Sequence, residues 1–263
     1  MAEADGGRPP VRRTTDRGIA TITLDSERNR NALSAPLRTA LLAELRAAMA
    51  DEGVRAVVLT GAGTVFCAGA DLKEVAERLA GRDPDPGAPG MGEVFSAIMD
   101  APKPVVARLN GTARAGGLGL VAAADIAIAP EDTGFAFTEV RIGLVPAVIS
   151  VPVRRRLHDR ALSRYLLTGE EFGAREAVAA GLLTEAVPRA ELDEAVERVA
   201  DGLRAAAPGA LAGAKALLAE HGAKERAEEF ARMTELSESY FAGEEAAEGR
   251  SAFFEKRGPR WVL

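Results

Sequence analysis

The clearest indication of the fold comes from residues 103–129, KPVVARLNGTARAGGLGLVAAADIAIA. Residues 104–109 are mostly apolar and predict a buried strand, and a glycine-rich turn follows them. The small and apolar residues 115–124 predict a short helix, and residues 125–129 predict a second strand. Strand, helix and strand in close succession are typical of parallel pairing. The sequence therefore predicts an α/β protein with a largely parallel sheet.

The same alternation extends toward the N-terminus. Residues 18–24 (GIATITL) alternate as a half-buried strand does, and residues 54–60 (VRAVVLT) predict a mostly buried strand. Between them, Ser34 is a good N-cap for a helix that presents an apolar stripe from Leu37 onward. Residues 81–92 (GRDPDPGAPGMG) are too rich in glycine and proline for regular structure. We expect this last segment to form a mobile lid.

The chain divides into three parts by composition. Residues 1–13 are polar, contain glycine and proline, and predict a disordered tail. Residues 14–200 contain the alternating strands and helices and predict the core. From about residue 190 the sequence is rich in Ala, Glu, Leu and Arg, and residues 201–263 predict a helical C-terminal region.

Composition excludes several classes of protein. The 263 residues have a net charge of −6 and only 5% aromatic residues, whereas nucleic-acid binders usually show a basic footprint. One cysteine and two histidines cannot build a disulfide scaffold or a His/Cys zinc site. No window approaches 18 uncharged apolar residues, and residues 1–18 lack the apolar stretch of a secretory signal. We therefore expect a soluble, cytoplasmic protein without a metal centre, a membrane span or a nucleic-acid partner.

Two glycine-rich turns lead from a predicted strand into a predicted helix. They are residues 66–72 (FCAGADL) and residues 110–119 (NGTARAGGLG). Small side chains at a helix start let a ligand approach unpaired backbone N–H groups. Two such donors converging on one point would form an oxyanion hole for a carbonyl that gains negative charge. Taken singly, each turn is more commonly just a tight connection, and neither matches a phosphate-binding loop or a dinucleotide fingerprint.

Glu139 lies in the apolar run FAFTEVRIGLVP, residues 135–146. Apolar surroundings raise the pKa of a carboxyl group, which suits acid–base catalysis near neutral pH. An ion pair with Arg141 or with another arginine is the competing interpretation, and the local sequence alone favours it.

Taken together and in this order, the segments resemble the enoyl-CoA hydratase/isomerase family, also called the crotonase superfamily. Each segment alone is a weak signal, but seven of them in the right order and spacing make a strong one. The resemblance covers about residues 18–258. The segments are NALS (31–34), FCAGADL, KPVVARLNGTARAGGLGL, ADIAIA, FTEVRIGLVP, TGEEFGAREAVAAGLLTEAV and FFEKRGP.

The resemblance implies a fold, an assembly and a substrate. The fold would be a crotonase-like spiral of β-β-α units with a C-terminal helical trimerisation region, assembled as a homotrimer or a dimer of trimers. The substrate would be an acyl-CoA thioester, and coenzyme A would enter as part of the substrate, without a separate cofactor.

The resemblance also implies a set of site residues. The thioester carbonyl would accept hydrogen bonds from the backbone of Ala70 and Gly116, and Glu139 would be the catalytic acid or base. The remaining implied contacts are to coenzyme A: Ala68, Ala70 and Leu72 along its channel, Arg28 and Arg30 at its nucleotide end, and Phe254 and Lys256 near the C-terminus, commonly from a neighbouring subunit.

One position departs from the family pattern and leaves the reaction open. Two-acid hydratases have glutamates at the positions of Glu139 and Gly119, and this chain keeps only the first. The resemblance over the whole chain favours hydration of a 2-enoyl-CoA to a 3-hydroxyacyl-CoA through an enolate. An enoyl-CoA double-bond isomerase that uses Glu139 alone is the first alternative, and a non-catalytic acyl-CoA binder is the second. Thioester hydrolysis and decarboxylation pass through the same kind of species.

Overall fold

The computed structural model describes residues 9–82, 85–218 and 222–262. Ten strands are found in these ranges: β1 (Val11–Asp16), β2 (Ile19–Leu24), β3 (Ala56–Gly61), β4 (Val65–Cys67), β5 (Val105–Arg108), β6 (Thr112–Arg114), β7 (Ile126–Pro130), β8 (Gly134–Ala136), β9 (Phe172–Gly173) and β10 (Glu185–Val187). The α-helices are α1 (Ala35–Ala50), α2 (Leu72–Leu79), α3 (Met91–Met99), α4 (Gly116–Ala123), α5 (Ala147–Val153), α6 (Asp159–Thr168), α7 (Ala174–Ala179), α8 (Leu192–Ala205), α9 (Pro208–Leu217), α10 (Ala223–Phe241) and α11 (Glu244–Glu255).

The strands form two sheets, and from β3 to β8 successive strands along the chain belong alternately to one sheet and the other. The larger sheet has the order β1-β2-β3-β5-β7-β10 and is parallel except for the β1–β2 pair. The smaller sheet has the order β4-β6-β8-β9 and is parallel except for β8–β9. The strand pairs β3–β4, β5–β6 and β7–β8 each give their first strand to the larger sheet and their second to the smaller one. The predicted spiral of β-β-α units is therefore confirmed, as are the four strands predicted from periodicity.

Two apolar clusters hold the layers together. The larger one joins the two sheets to α1, α3, α4 and α5 and contains four completely buried phenylalanines. The second lies on the other face of the larger sheet, where α8 packs against Val58, Val106 and Ile128. Burial of this kind contributes about 1.5–3 kcal/mol for each large apolar side chain. In the described ranges, no helix combines the length and the apolar character that crossing a membrane requires.

The N-terminal boundary differs from the prediction. Residues 11–13 were expected to be disordered, yet they begin strand β1, which pairs with β2 along its whole length. The turn between the strands uses positive φ angles at Arg17 (43°) and Gly18 (78°), which suits a tight hairpin. The charged sequence VRRTTD concealed the strand because it lies at a sheet edge and buries only Val11. Residues 1–8 of the predicted tail lie outside the described residues.

Two further boundaries need correction. The predicted division at residue 200 lies inside α8, whose Ala195, Val196 and Ala200 are buried against the larger sheet. An alanine-rich amphipathic helix does not show in its sequence whether a sheet or another helix covers it. Residues 81–92 contain irregular structure as predicted, but α3 already begins at Met91, and residues 83 and 84 lie outside the described residues.

Candidate active site

One cavity of about 430 Å³ lies between the ends of the smaller sheet's strands and the helices α5, α10 and α11. Apolar side chains make up most of its wall, including Ala147, Val148 and Ile149 at the start of α5. Six of the residues implicated by the sequence line it: Arg30, Ala68, Ala70, Leu72, Gly116 and Glu139.

Two backbone amides on the wall of this cavity, those of Ala70 and Gly116, lie close together. An ideal Cβ atom on Gly116 would lie 3.4 Å from the Ala70 nitrogen, which places the two amide nitrogens within about 6 Å of each other. In the described part of the chain, neither N–H group has a hydrogen-bond acceptor. Two unsatisfied donors this close together can both bond to one oxygen atom.

Unusual backbone conformations precede both amides. Gly69, with φ of 95°, comes before Ala70, and there is no room for a side chain because its Cβ would lie 3.0 Å from the Arg114 carbonyl. Ala115, with φ of 45° and ψ of −120°, comes before Gly116. A non-glycine residue in this region is strained by about 1–3 kcal/mol, and such strain concentrates at functional sites. The ψ angle of Ala115 sets the orientation of the peptide unit that carries the Gly116 N–H.

Two asparagines, the buried Asn31 and the half-buried Asn110, hold the strand that leads to Ala70. The carbonyl of Val65 in β4 accepts hydrogen bonds from Nδ2 of Asn31 (2.8 Å) and of Asn110 (3.3 Å). Gly111 must be glycine, because a Cβ there would lie 1.9 Å from the Thr64 carbonyl. The sequence motifs around Asn31 and Asn110 therefore have a scaffolding role.

Asp71 caps helix α2, as the sequence predicted. Its carboxylate accepts hydrogen bonds from the backbone of Lys73 (3.0 Å) and Glu74 (3.3 Å). The cap fixes the start of the helix immediately after Ala70.

Glu139 begins a 3₁₀ turn, Glu139–Ile142, which we call the Glu139 turn. The Oε2 atom of the Glu139 side chain is buried and has no hydrogen-bond partner among the described residues. Burial raises the pKa of Glu139 to about 7, although its own backbone amide acts in the opposite direction. Arg141, the expected competitor, instead donates its Nε to the Gly169 carbonyl at 3.0 Å. The carboxylate therefore lacks the ion pair that would have kept it permanently charged.

Gly119, the position of the second family acid, is separated from the cavity. A Cβ at this position would lie 2.4 Å from Cζ of Phe95. That ring is completely buried and packs against Phe230 with their centroids 6.2 Å apart. The ring of Phe95, from α3, therefore fills the place where two-acid hydratases have their second acid.

An ion pair on the cavity wall escaped the sequence analysis. Arg114 of β6 contacts the carboxylate of Glu171 at 2.6 Å, and both residues line the cavity. The two residues are 57 positions apart, so no local pattern could join them.

Three of the predicted coenzyme A contacts lie outside the cavity of this chain. Arg28 belongs to an exposed 3₁₀ turn, and Phe254 and Lys256 are exposed near the end of α11. Phe253, which the sequence did not single out, lines the cavity instead. The contacts of these three residues with coenzyme A stay predictions.

Cys67 lies beside the site but has a packing role. Burial raises the pKa of its thiol to about 12, so the reactive thiolate does not form at neutral pH. Among the residues described, no three or more His, Cys, Asp or Glu side chains come together as metal ligands.

The chain has an alternating two-sheet spiral and one cavity that Ala70, Gly116 and the buried Glu139 all line. Comparison with known proteins identifies its family. The chain belongs to the enoyl-CoA hydratase/isomerase family, whose family model matches residues 14–262. An enoyl-CoA hydratase structure from Mycobacterium avium is 40% identical, with a TM-score of 0.85 over 97% of this chain and 100% of the other. A Thermus thermophilus protein, provisionally named an enoyl-CoA hydratase, is 37% identical over 92% of this chain and 97% of its own length. The carnitinyl-CoA dehydratase of Proteus mirabilis is 33% identical over 94% of this chain and 96% of its own.

Proposed function

We propose that this member of the acyl-CoA enzyme family adds water to a 2-enoyl-CoA and forms a 3-hydroxyacyl-CoA. The observation that carries the proposal is the position of Glu139 in the same cavity as the free amides of Ala70 and Gly116. Relatives named hydratase or dehydratase support the same class of reaction.

The two amides would polarise the substrate. The thioester oxygen accepts hydrogen bonds from Ala70 and Gly116 and gains negative charge as C2–C3 of the acyl chain is attacked. A single donor of this kind contributes about 10²–10³ in rate in enzymes that stabilise an oxyanion. The donors are backbone groups held by strained or tightly packed residues, so they need no reorganisation during the reaction.

Glu139 would move the protons. Its carboxylate takes a proton from water while the water oxygen bonds to C3, and the electrons of the double bond move onto the thioester to give the enolate. The protonated carboxyl then returns a proton to C2, which restores the carboxylate. A pKa of about 7 suits this cycle because both protonation states are accessible near neutral pH.

A mass assay tests the proposal. The protein is incubated with short, medium and branched 2-enoyl-CoA and 3-enoyl-CoA compounds, and the product masses are measured. We expect at least one 2-enoyl-CoA to gain the mass of one water. Hydrolysis to free coenzyme A, loss of carbon dioxide, or binding without any product would each overturn the proposal.

Double-bond isomerisation is the second candidate, and the Phe95–Gly119 packing favours it. The ring occupies the place of a second acid, and a single carboxylate is sufficient to remove a proton at one carbon and return it at another. In the same assay, this reaction would move the double bond of a 3-enoyl-CoA without a change in mass.

We also propose that the chain acts as a homotrimer or a dimer of trimers, in the cytoplasm, with no cofactor beyond the coenzyme A of its substrate. Large apolar side chains exposed along α10, α11 and the following residues support the assembly. They are Leu236, Tyr240, Phe253, Phe254, Trp261 and Val262. In such an assembly, Phe254 and Lys256 would reach the coenzyme A bound to a neighbouring subunit. The single, buried free cysteine supports a reducing compartment.

A further inference from the structure

Helix α11 contacts the Glu139 turn backbone to backbone. An ideal Cβ on Gly249 would lie 2.1 Å from the Ile142 carbonyl oxygen and 2.6 Å from the Ile142 Cα. On the other side of the contact, a Cβ on Gly143 would lie 2.5 Å from the Glu245 carbonyl. Each side of the contact therefore requires a glycine, and neither has room for one methyl group.

The other buried residues of α11 also allow the helix to pack closely against the Glu139 turn. Ala246, Gly249 and Ala252 are its buried residues, so the face toward the protein presents only small side chains. Arg250 donates Nη1 to the Phe241 carbonyl at 3.1 Å, which joins α11 to α10. Phe253, one turn after Gly249, lines the cavity that contains Glu139.

The Glu139 turn is short enough to move as one piece. The Leu144 amide donates to the Glu139 carbonyl at 3.0 Å, and the Arg141 amide donates to the Thr138 carbonyl at 3.1 Å. Ile142, the residue that α11 contacts, lies inside the turn that the Leu144–Glu139 hydrogen bond closes. We therefore expect a displacement of Ile142 to move Glu139 with it.

We propose that Gly249 is a positioning residue: through the backbone of Ile142 it holds the Glu139 carboxylate in the cavity. The effect of Gly249 on catalysis rests on the proposed function, whereas the contact between α11 and the Glu139 turn does not depend on it. Since real Cβ contacts stay above 3.0 Å, a methyl group on residue 249 must push Ile142 away by about 1 Å. A misplacement of that size can lower a reaction rate by about 10².

The same displacement changes the surroundings of the carboxylate. Opening the contact admits water to Oε2, which has no partner among the described residues, and lowers the pKa of Glu139 toward 4.5. The charged residues that line the same cavity are Arg30, Arg114, Arg141 and Glu171. On the packed helix α11, the Arg250 side chain is held by the Phe241 carbonyl. A substitution at residue 249 replaces none of these charged residues. A shift in the titration midpoint of Glu139 therefore reports a change in the position of the Glu139 turn.

Gly249→Ala tests the proposal, with Gly202→Ala as the matched control. Gly202 also lies inside a helix, α8, but a Cβ there meets nothing within 4 Å. For Gly249→Ala we expect kcat to fall by about 10–100-fold with KM little changed, measured on whichever enoyl-CoA gives product in the mass assay. Gly202→Ala should behave as the wild type.

A second readout needs no substrate. The infrared carbonyl band of the protonated Glu139 carboxyl is identified by its absence in Glu139→Gln, and its titration is followed with pH. We expect the midpoint to fall in Gly249→Ala and to stay in place in Gly202→Ala. If Gly249→Ala does not fold, Ala246→Gly loosens the same contact without adding atoms and should shift the midpoint in the same direction.

The outcomes separate the two proposals. A folded variant with an unchanged midpoint and an unchanged kcat overturns the positioning role of Gly249. A shifted midpoint in a protein whose turnover survives Glu139→Gln supports the positioning role but contradicts the proposed function.

Discussion

Glu139 shares its cavity with three arginines, yet none of them neutralises its carboxylate in the described structure. Arg114 is engaged by Glu171, and Arg141 is held by the Gly169 carbonyl. The buried Oε2 therefore remains without a partner, and burial dominates the pKa of the group. The local sequence favoured the ion pair, because it could not show that Arg114 and Arg141 have other partners.

This burial predicts a pH-dependent stability. The folded chain raises the pKa of Glu139 from 4.5 to about 7, so the group contributes its stability below pH 4.5 and loses it as the pH rises through 7. The loss amounts to at most about 3 kcal/mol. Compared with the wild type, Glu139→Gln should therefore gain unfolding free energy as the pH rises from about 4.5 to about 8. Urea unfolding at several pH values measures this, and a difference that stays constant with pH would contradict it.

Gly119 illustrates the same limit of sequence reasoning at a second residue. The sequence showed that the acid is missing, but only the fold shows that Phe95 occupies its place. The ring comes from a helix 24 positions earlier, beyond the reach of any local pattern.

The packing at Gly119 gives a stability prediction. Gly119→Ala should lower the unfolding free energy by about 1–3 kcal/mol, because the methyl group overpacks against the Phe95 ring. Adding Phe95→Leu should recover part of this loss, and chemical denaturation of the two single variants and the double variant measures the coupling. Additive effects would show that the ring does not restrict residue 119.

At the scale of elements, the strand–turn–helix segments were predictable because local rules determine them. Alternation gave β2, apolar runs gave β3, β5 and β7, and Asp71 gave the start of α2. Strand β1 and the two-residue β9 lacked a hydrophobic pattern of their own, since pairing with a neighbouring strand defines them. The packing of α8 against the larger sheet likewise depends on tertiary structure and has no local sequence pattern.

The turn before α4 predicts a conflict between stability and activity. Ala115→Gly should raise the unfolding free energy by about 1 kcal/mol, because glycine adopts a φ of 45° without strain. Turnover should nevertheless fall, since the Gly116 amide is held less firmly. The control, Ala122→Gly, makes the same change inside α4 and should destabilise the protein. Lower stability in Ala115→Gly would show that the strain is not present.

At the scale of the whole molecule, the order of seven short segments identified the family, and the two-sheet spiral confirmed the fold. The number of subunits in the assembly is not visible in the structure of one chain. Exposed Phe253, Phe254 and Trp261 near the C-terminus predict that other copies cover this surface.

Light scattering tests this assembly. We expect a mass three or six times that of the 27.5 kDa chain at micromolar concentration. Phe254→Asp should shift the distribution toward the monomer, because a charge would be buried in the interface. A wild-type protein that is already monomeric would contradict the prediction.

The role of Glu139 as the proton carrier is tested most directly by the turnover of Glu139→Gln, with acyl-CoA binding measured on the same sample. Glutamine keeps the size of the side chain but cannot accept the proton, so we expect binding to persist while turnover falls by about 10²–10⁴. The substrate is the enoyl-CoA that gives product with the wild type, and the readout is product mass. Wild-type turnover in Glu139→Gln would show that another group moves the proton and would contradict the catalytic role of Glu139.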